Sequence, residues 1–272
     1  MNKIRKQYLP FVRAGVQNLI VYRMNFLGFI IGGLIYCFVM YYLWKSVFMA
    51  SGGETFMNFT MSDMVLYLFL SNVAGEVTFS TVSNDIAEEI KDGSIAMRLI
   101  KPVNMDLSYL ATELGGTAMR TVTFAFPVII GLEIYRYITL GTVMFNPINL
   151  LLFLLSIVLA YLVAFRVNLC FGFMAFYVKN LWGMGILKNS IVNFLSGSLI
   201  PLAFMPDGLR TVLEYMPFSS MSYTPVMIYM GKYDTGEIIF RLGIQAVWAI
   251  IIYGISKLIW LGAIKKLSVQ GG

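Results

Sequence analysis

The sequence predicts an all-α integral membrane protein with six transmembrane helices, on three observations. Of its 272 residues, 58% are hydrophobic and only 12% are charged, about half the charged share of an ordinary soluble domain. Apolar runs of membrane-spanning length recur, and the first, residues 24–44, holds no charge between Arg23 and Lys45. No stretch between the runs has the polarity of a soluble surface, so residues 1–272 read as one membrane domain.

A bilayer core of about 30 Å takes about 20 apolar helical residues. Residues 24–44 supply the first span. Ser62 and Asp63 mark a helix start, and a second span runs over 64–84, interrupted by Glu76. The third covers 107–132 and carries Glu113 and Arg120. The fourth runs from residue 148 into the stretch FGFMAFYV and contains Arg166. The fifth, 181–204, has Lys188 near its start, and the sixth covers 238–264.

Orientation follows from the cations, which concentrate in loops on the cytoplasmic side. With the N-terminus inside, that side holds Lys3, Arg5, Lys6, Arg13, Arg23, Lys91, Arg98, Lys101, Lys179, Lys265 and Lys266, against Lys45, Arg136, Arg210 and Lys232 outside. Both termini are therefore expected in the cytoplasm. Residues 1–23 mix cations with Ile4, Tyr8, Leu9, Phe11, Val12 and Leu19, which suits a helix lying in the inner interface. No short apolar core with a small-residue cleavage site follows, so a removed signal peptide is not expected. Between spans five and six, Pro201, Pro206, Pro217 and Pro225 cut an apolar segment into pieces too short to span. Within it, DGLRTVLEYM places Leu209, Val212, Leu213 and Met216 on one helical face, so residues 205–237 read as re-entrant outer helices.

The chain has no histidine, which argues against His-based acid–base, triad or metal chemistry. Cys37 and Cys170 lie within apolar runs and suggest neither a disulfide nor a metal site. Neither GxxxxGK[ST] nor GxGxxG occurs; GISKL at 254–258 has a Gly and a Lys at the wrong spacing. No cofactor is expected on this chain, and the scattered net charge of +6 is a topology signal rather than a nucleic-acid one.

Charges inside spans usually pair, snorkel or line a cavity. Helix rise puts Glu76 and Arg120 at overlapping depth, so an intramembrane Glu76–Arg120 pair is expected, while Arg166 and Lys257 lie close enough to the inner face to snorkel. GFIIG sets Gly28 and Gly32 at the spacing that lets two membrane helices approach closely. The most polar segment is DIAEEIKDGSIAMRLIKPV at 85–103. Asp85, Glu88, Glu89 and Lys91 form a polar side, Ile86, Ala87 and Ile90 an apolar one, with Met97 and Leu99 extending it. Gly93 is placed to stop the helix and Pro102 delays the next. A short amphipathic helix and compact turn at the cytoplasmic end of two spans fit docking onto a soluble partner.

At this point the chain resembles the permease subunits of type-2 ABC transporters, and among them the viologen-exporter-like branch. The resemblance rests on the basic lead-in, the 85–103 segment, SGSLIPLAFMPDGLRTVLEYMPF, and the tail LIWLGAIKKLSVQGG ending in Gly271 and Gly272. It implies a half-transporter of the bacterial cell membrane that pairs with a second copy or a related permease. ATP and Mg2+ would be held by separate cytoplasmic P-loop ATPase subunits. It further implies that the segment from about Asp85 to Lys101 is the coupling helix seated on the ATPase, with Asp85, Ile86, Glu88, Glu89, Lys91, Asp92, Arg98 and Lys101 as its contact residues. Gly28 and Gly32 would then meet the partner permease.

Two other classes compete. An ATP-independent channel or secondary carrier lacks support from any inverted repeat or midplane cluster of ionisable groups. A membrane-embedded enzyme lacks histidine and a carboxylate pair.

Overall fold

The computed structural model describes residues 2–52, 55–141, 147–178 and 182–266. The expectations placed on Lys179, Gly271 and Gly272 lie outside these residues. The helices are α1 (Asn2–Val21), α2 (Arg23–Ser51), α3 (Met61–Thr78), α4 (Val82–Lys91), α5 (Ile95–Ile100), α6 (Met105–Arg120), α7 (Phe126–Leu140), α8 (Pro147–Phe173), α9 (Trp182–Leu195), α10 (Asp207–Tyr215), α11 (Tyr223–Tyr229) and α12 (Thr235–Ala263). Five helical stretches among the described residues are long and apolar enough to cross a membrane: Met24–Ser51, Met61–Lys91, Met105–Ile138, Pro147–Phe176 and Thr235–Ala263.

The fifth expected span differs. Residues 181–204 contain α9, whose 14 residues rise only about 21 Å. The helix stops because Gly197 takes a φ of +78° and gives its carbonyl to the Tyr67 hydroxyl of α3 at 2.6 Å. Pro201 then opens a 3-10 turn, Leu202–Phe204.

α3, α6 and α12 start on side-chain caps. α3 begins at Thr60 rather than at Ser62: the Thr60 hydroxyl accepts from the Asp63 N–H and the Asp63 carboxylate from the Thr60 N–H. Asn104 and Asp234 cap α6 and α12 in the same sense. Between α6 and α7 the helix widens into a π-turn, Thr121–Ala125, just ahead of Pro127, where the missing N–H and the ring forbid a regular turn.

Two ends of the bundle are defined by contacts. At one, the hairpin end, the α4–α5 turn packs with the C-terminal part of α12: Val82, Ile86, Phe173 and Ala263 share one buried cluster, edged by Phe176 and Trp260. At the far end, Lys232 ahead of α12 pairs with Asp63 at the start of α3 at 3.0 Å. The two-stranded hairpin Thr55–Phe56 and Phe59–Thr60 sits at the far end, with Phe204 packed against Trp44, Phe56 and Phe59.

α3 is the central helix, buried along most of its length against α8 and α11. α2 is its opposite: only 6% of its most apolar stretch is buried. α1 runs alongside α6 in the same direction, from the Gln7–Pro102 hydrogen bond of 2.8 Å to the Leu19–Gly116 contact. The approach needs glycine on both sides. A Cβ on Gly15 would overlap the Thr112 carbonyl oxygen, and one on Gly115 would overlap that of Val12.

Candidate functional site

The site starts where span two breaks. α3 ends at Thr78, Phe79 is extended, and α4 restarts at Val82. A broken helix inside a membrane leaves carbonyls and N–H groups that need partners. Arg120 supplies the donors: its Nε reaches the Glu76 carbonyl at 3.1 Å and an Nη the Phe79 carbonyl at 2.8 Å. Glu113 supplies the acceptor, taking the Thr81 N–H at 2.9 Å. The Thr81 hydroxyl lies 3.0 Å from Glu113 and 3.1 Å from Asp85.

The expected Glu76–Arg120 pair is not a direct ion pair among the described residues, although the two charges still interact. The two residues do meet, but through the Glu76 backbone. The physical reason is the break: uncapped carbonyls compete with the carboxylate for the guanidinium and win on position.

Beyond the break, α4 uses its apolar side inward. Ile86 is fully buried beneath Phe165, Leu169 and Phe173, and a side chain at Gly172 of α8 would collide with it. Ile86 is therefore a packing residue and not a docking one. Glu89 and Arg98 are also turned to internal use. Arg98 grips Glu89 through Nε at 2.8 Å and Nη2 at 2.5 Å, and bonds the Ser108 hydroxyl at 3.0 Å. The Tyr109 hydroxyl donates to the same carboxylate at 2.5 Å, and the guanidinium lies 4.0 Å over the Tyr109 ring. This bidentate, stacked arrangement fixes α5 against α4 and α6.

What remains outward is the tip. Glu88, Lys91, Asp92 and Lys101 are exposed, together with two apolar side chains, Met97 at 65% and Ile100 at 77%. Gly93 turns the chain with a φ of +78°, and the Ser94 hydroxyl and N–H hold the Asp92 carboxyl below the usual carboxylate range. The amphipathic signal in the sequence pointed to α4; the exposed apolar side chains are on α5. Ile100 escaped the sequence reading because a six-residue helix has too little periodicity to show a face.

Below the hairpin, Asp106 of α6 is buried and receives Arg166 of α8 at 2.9 Å and Lys257 of α12 at 2.7 Å. The two cations expected close enough to the inner face to snorkel thus share one carboxylate in the first turn of α6, next to the hairpin. At the far end, buried Glu214 of α10 binds Arg241 of α12 at 2.5 Å and Arg210 at 2.7 Å. Gln245 of α12 bridges the Ser156 hydroxyl at 2.9 Å and the Ser220 carbonyl at 2.8 Å. Gly28 and Gly32 point away from the rest of the chain, with nothing within 4 Å of a Cβ built on either.

On the other side of the break from Arg120 lies a cavity of about 450 Å³ between α3, α8 and α9. Its lining includes Lys188, Asn189 and Asn193 of α9, Asn168 of α8, Ser80 and Ser83.

Comparison with the curated proteins finds no match. Residues 19–271 match the family described as ABC-2 family transporter protein. The chain belongs to this family. ABC-2 permeases are transport subunits without a nucleotide-binding domain of their own and work with a cytoplasmic ATPase. The matched residues of this ABC-2 permease take in the break in span two, the braced hairpin, the polar cavity and the far-end Glu214–Arg241 lock.

Proposed function

We propose that this permease is one half of an ABC exporter of the viologen-exporter-like branch, in a bacterial inner membrane, driven by ATP hydrolysis on a separate chain. The observation that carries the reading is the hairpin tip. A turn braced by Glu89 and Arg98 carries two exposed apolar side chains, Met97 and Ile100, and the exposed charges Glu88, Lys91, Asp92 and Lys101. A groove on an ATPase takes such a tip: apolar anchors give affinity, and rim charges set register. On this reading Ile86 packs inside, Glu89 and Arg98 form the brace, and Asp85, half-buried, bonds the Thr81 hydroxyl.

Six crossings fit better than five. Phe176 stands beside Trp260 at the hairpin end, and Lys232 is paired with Asp63 at the far end. These two contacts support a crossing between Phe176 and Lys232, with α9 carrying most of the rise and 202–229 folding back as the re-entrant cap. An even number of crossings leaves the start of α2 and the end of α12 on the same side, the cytoplasmic one. The bare face of α2 around Gly28 and Gly32 supports pairing with a second copy or a related permease.

In mechanism, closure of the ATPase dimer pushes the tip. Along the chain the push reaches α3 through the break at 79–81, where Arg120 and Glu113 hold the two helical pieces. α3 and α6 then tilt as rigid bodies, and the cavity beside the break changes its opening. The test is purification of the tagged chain from membranes of its own host. The reading expects a P-loop ATPase to come with it and ATP-dependent efflux to be lost with the chain. A chain that purifies alone and transports without ATP would overturn it.

A further inference from the structure

The Lys188 cavity carries more than the transport reading asks of it. Lys188 is 8% exposed, yet its ammonium has only neutral partners: the Asn168 amide oxygen at 2.5 Å and the Ser83 hydroxyl at 3.4 Å. Among the described residues no carboxylate pairs with it, and none of the lining residues of the cavity is Asp or Glu. A buried cation at membrane depth is costly unless something neutralises it. Elsewhere this chain does so with its own carboxylates, for Arg166, Lys257 and Arg241. Lys188, like Arg120, has no carboxylate bonded to it among the described residues, but where Arg120 is taken up by the carbonyls of the break, Lys188 borders a space of about 450 Å³.

The cavity walls agree with an anion. Asn189 and Asn193 are exposed on α9 beside the lysine, an unfavourable choice against lipid and a favourable one around a wetted polar ligand. The Ser222 hydroxyl, also in the lining, is buried and lacks a partner. Hydroxyl and amide donors around one ammonium are the donor set for a carboxylate or phosphate.

We propose that this cavity is an anion-binding site, with Lys188 as counter-ion to a carboxylate or phosphate carried by an otherwise apolar molecule. The inference rests on the permease reading only in naming the molecule's use; binding is measured on the purified chain without any ATPase, so each idea fails separately. The carboxylate or phosphate comes from a transported amphiphile or from a lipid headgroup, and two probe pairs separate these sources. Octanoate is compared with octanamide, and dihexanoyl phosphatidic acid with dihexanoylglycerol, by calorimetric titration of the full chain in detergent.

The wild type and Lys188→Arg are expected to prefer the anion by about tenfold, equivalent to about 1.4 kcal/mol; Lys188→Met is expected to lose the preference. Discrimination within the octanoate pair indicates a soluble carboxylate, and discrimination within the lipid pair alone indicates a headgroup. Asn189→Asp, which adds a carboxylate to the same cavity and keeps the lysine, is expected to abolish the preference even where Lys188→Met does not fold. Equal affinity for both members of both pairs in the wild type, or an anion preference surviving in Lys188→Met or Asn189→Asp, would overturn the proposal.

Discussion

Glu89 on α4 and Arg98 on α5 face each other across the Asp92–Ser94 turn, joined by a two-point ion pair with a closest approach of 2.5 Å. The pair turns a short polar loop into a stiff lever. Removing one partner of a half-buried charge-assisted bond costs about 1.5–3 kcal/mol. Arg98→Met should therefore leave insertion intact and raise amide exchange over residues 93–104 by about tenfold or more. Unchanged protection there would mean the turn is stiff for some other reason.

The close packing of α1 alongside α6 gives a second prediction. At Gly15 and Gly115 an added side chain meets backbone, which no rotamer change relieves. Gly115→Ala should destabilise by about 1–3 kcal/mol, as overpacking does, and lower the melting temperature in detergent. Gly131→Ala, at an open position of α7, is the matched control and should leave melting unchanged.

Asp106 holds two cations, so its loss leaves both unpaired. Breaking a buried pair from one side costs about 3–5 kcal/mol, and Asp106→Asn is expected near the lower figure because Lys257 is partly exposed. The same change with Arg166→Met should recover part of the melting temperature. No recovery would remove the pairing as the cause.

Gly28 and Gly32 test the assembly. Leucine at both should not alter the melting of the isolated chain, since neither touches it. Chemical cross-linking between permeases in membranes should fall several-fold if this face of α2 is the seam. Undiminished cross-linking would assign the seam elsewhere.

Sequence and structure agree where the signal is local. The long apolar runs and the stop at Gly93 come from composition and spacing, which act within a few residues. They part where the cause is distant in the chain. Nothing near Phe79 announces the break in span two, because Arg120 and Glu113, on another helix, make it tolerable. Ile86 has the spacing of a docking face, but Gly172 of α8 provides the hole that takes it. Lys188 was visible as an intramembrane charge; its lack of a carboxylate partner emerges only once three helices are packed around it.

The central claim is that energy from another chain enters through the hairpin tip. Its most direct test is the ATPase rate of the reconstituted permease–ATPase complex, comparing the wild type with Met97→Asp combined with Ile100→Asp. Both side chains are exposed, so the double variant should insert and melt as the wild type does. The account predicts that it loses ATPase binding and permease-stimulated hydrolysis by at least about tenfold, the weight of two anchor residues. A double variant that binds and stimulates the ATPase like the wild type would contradict it.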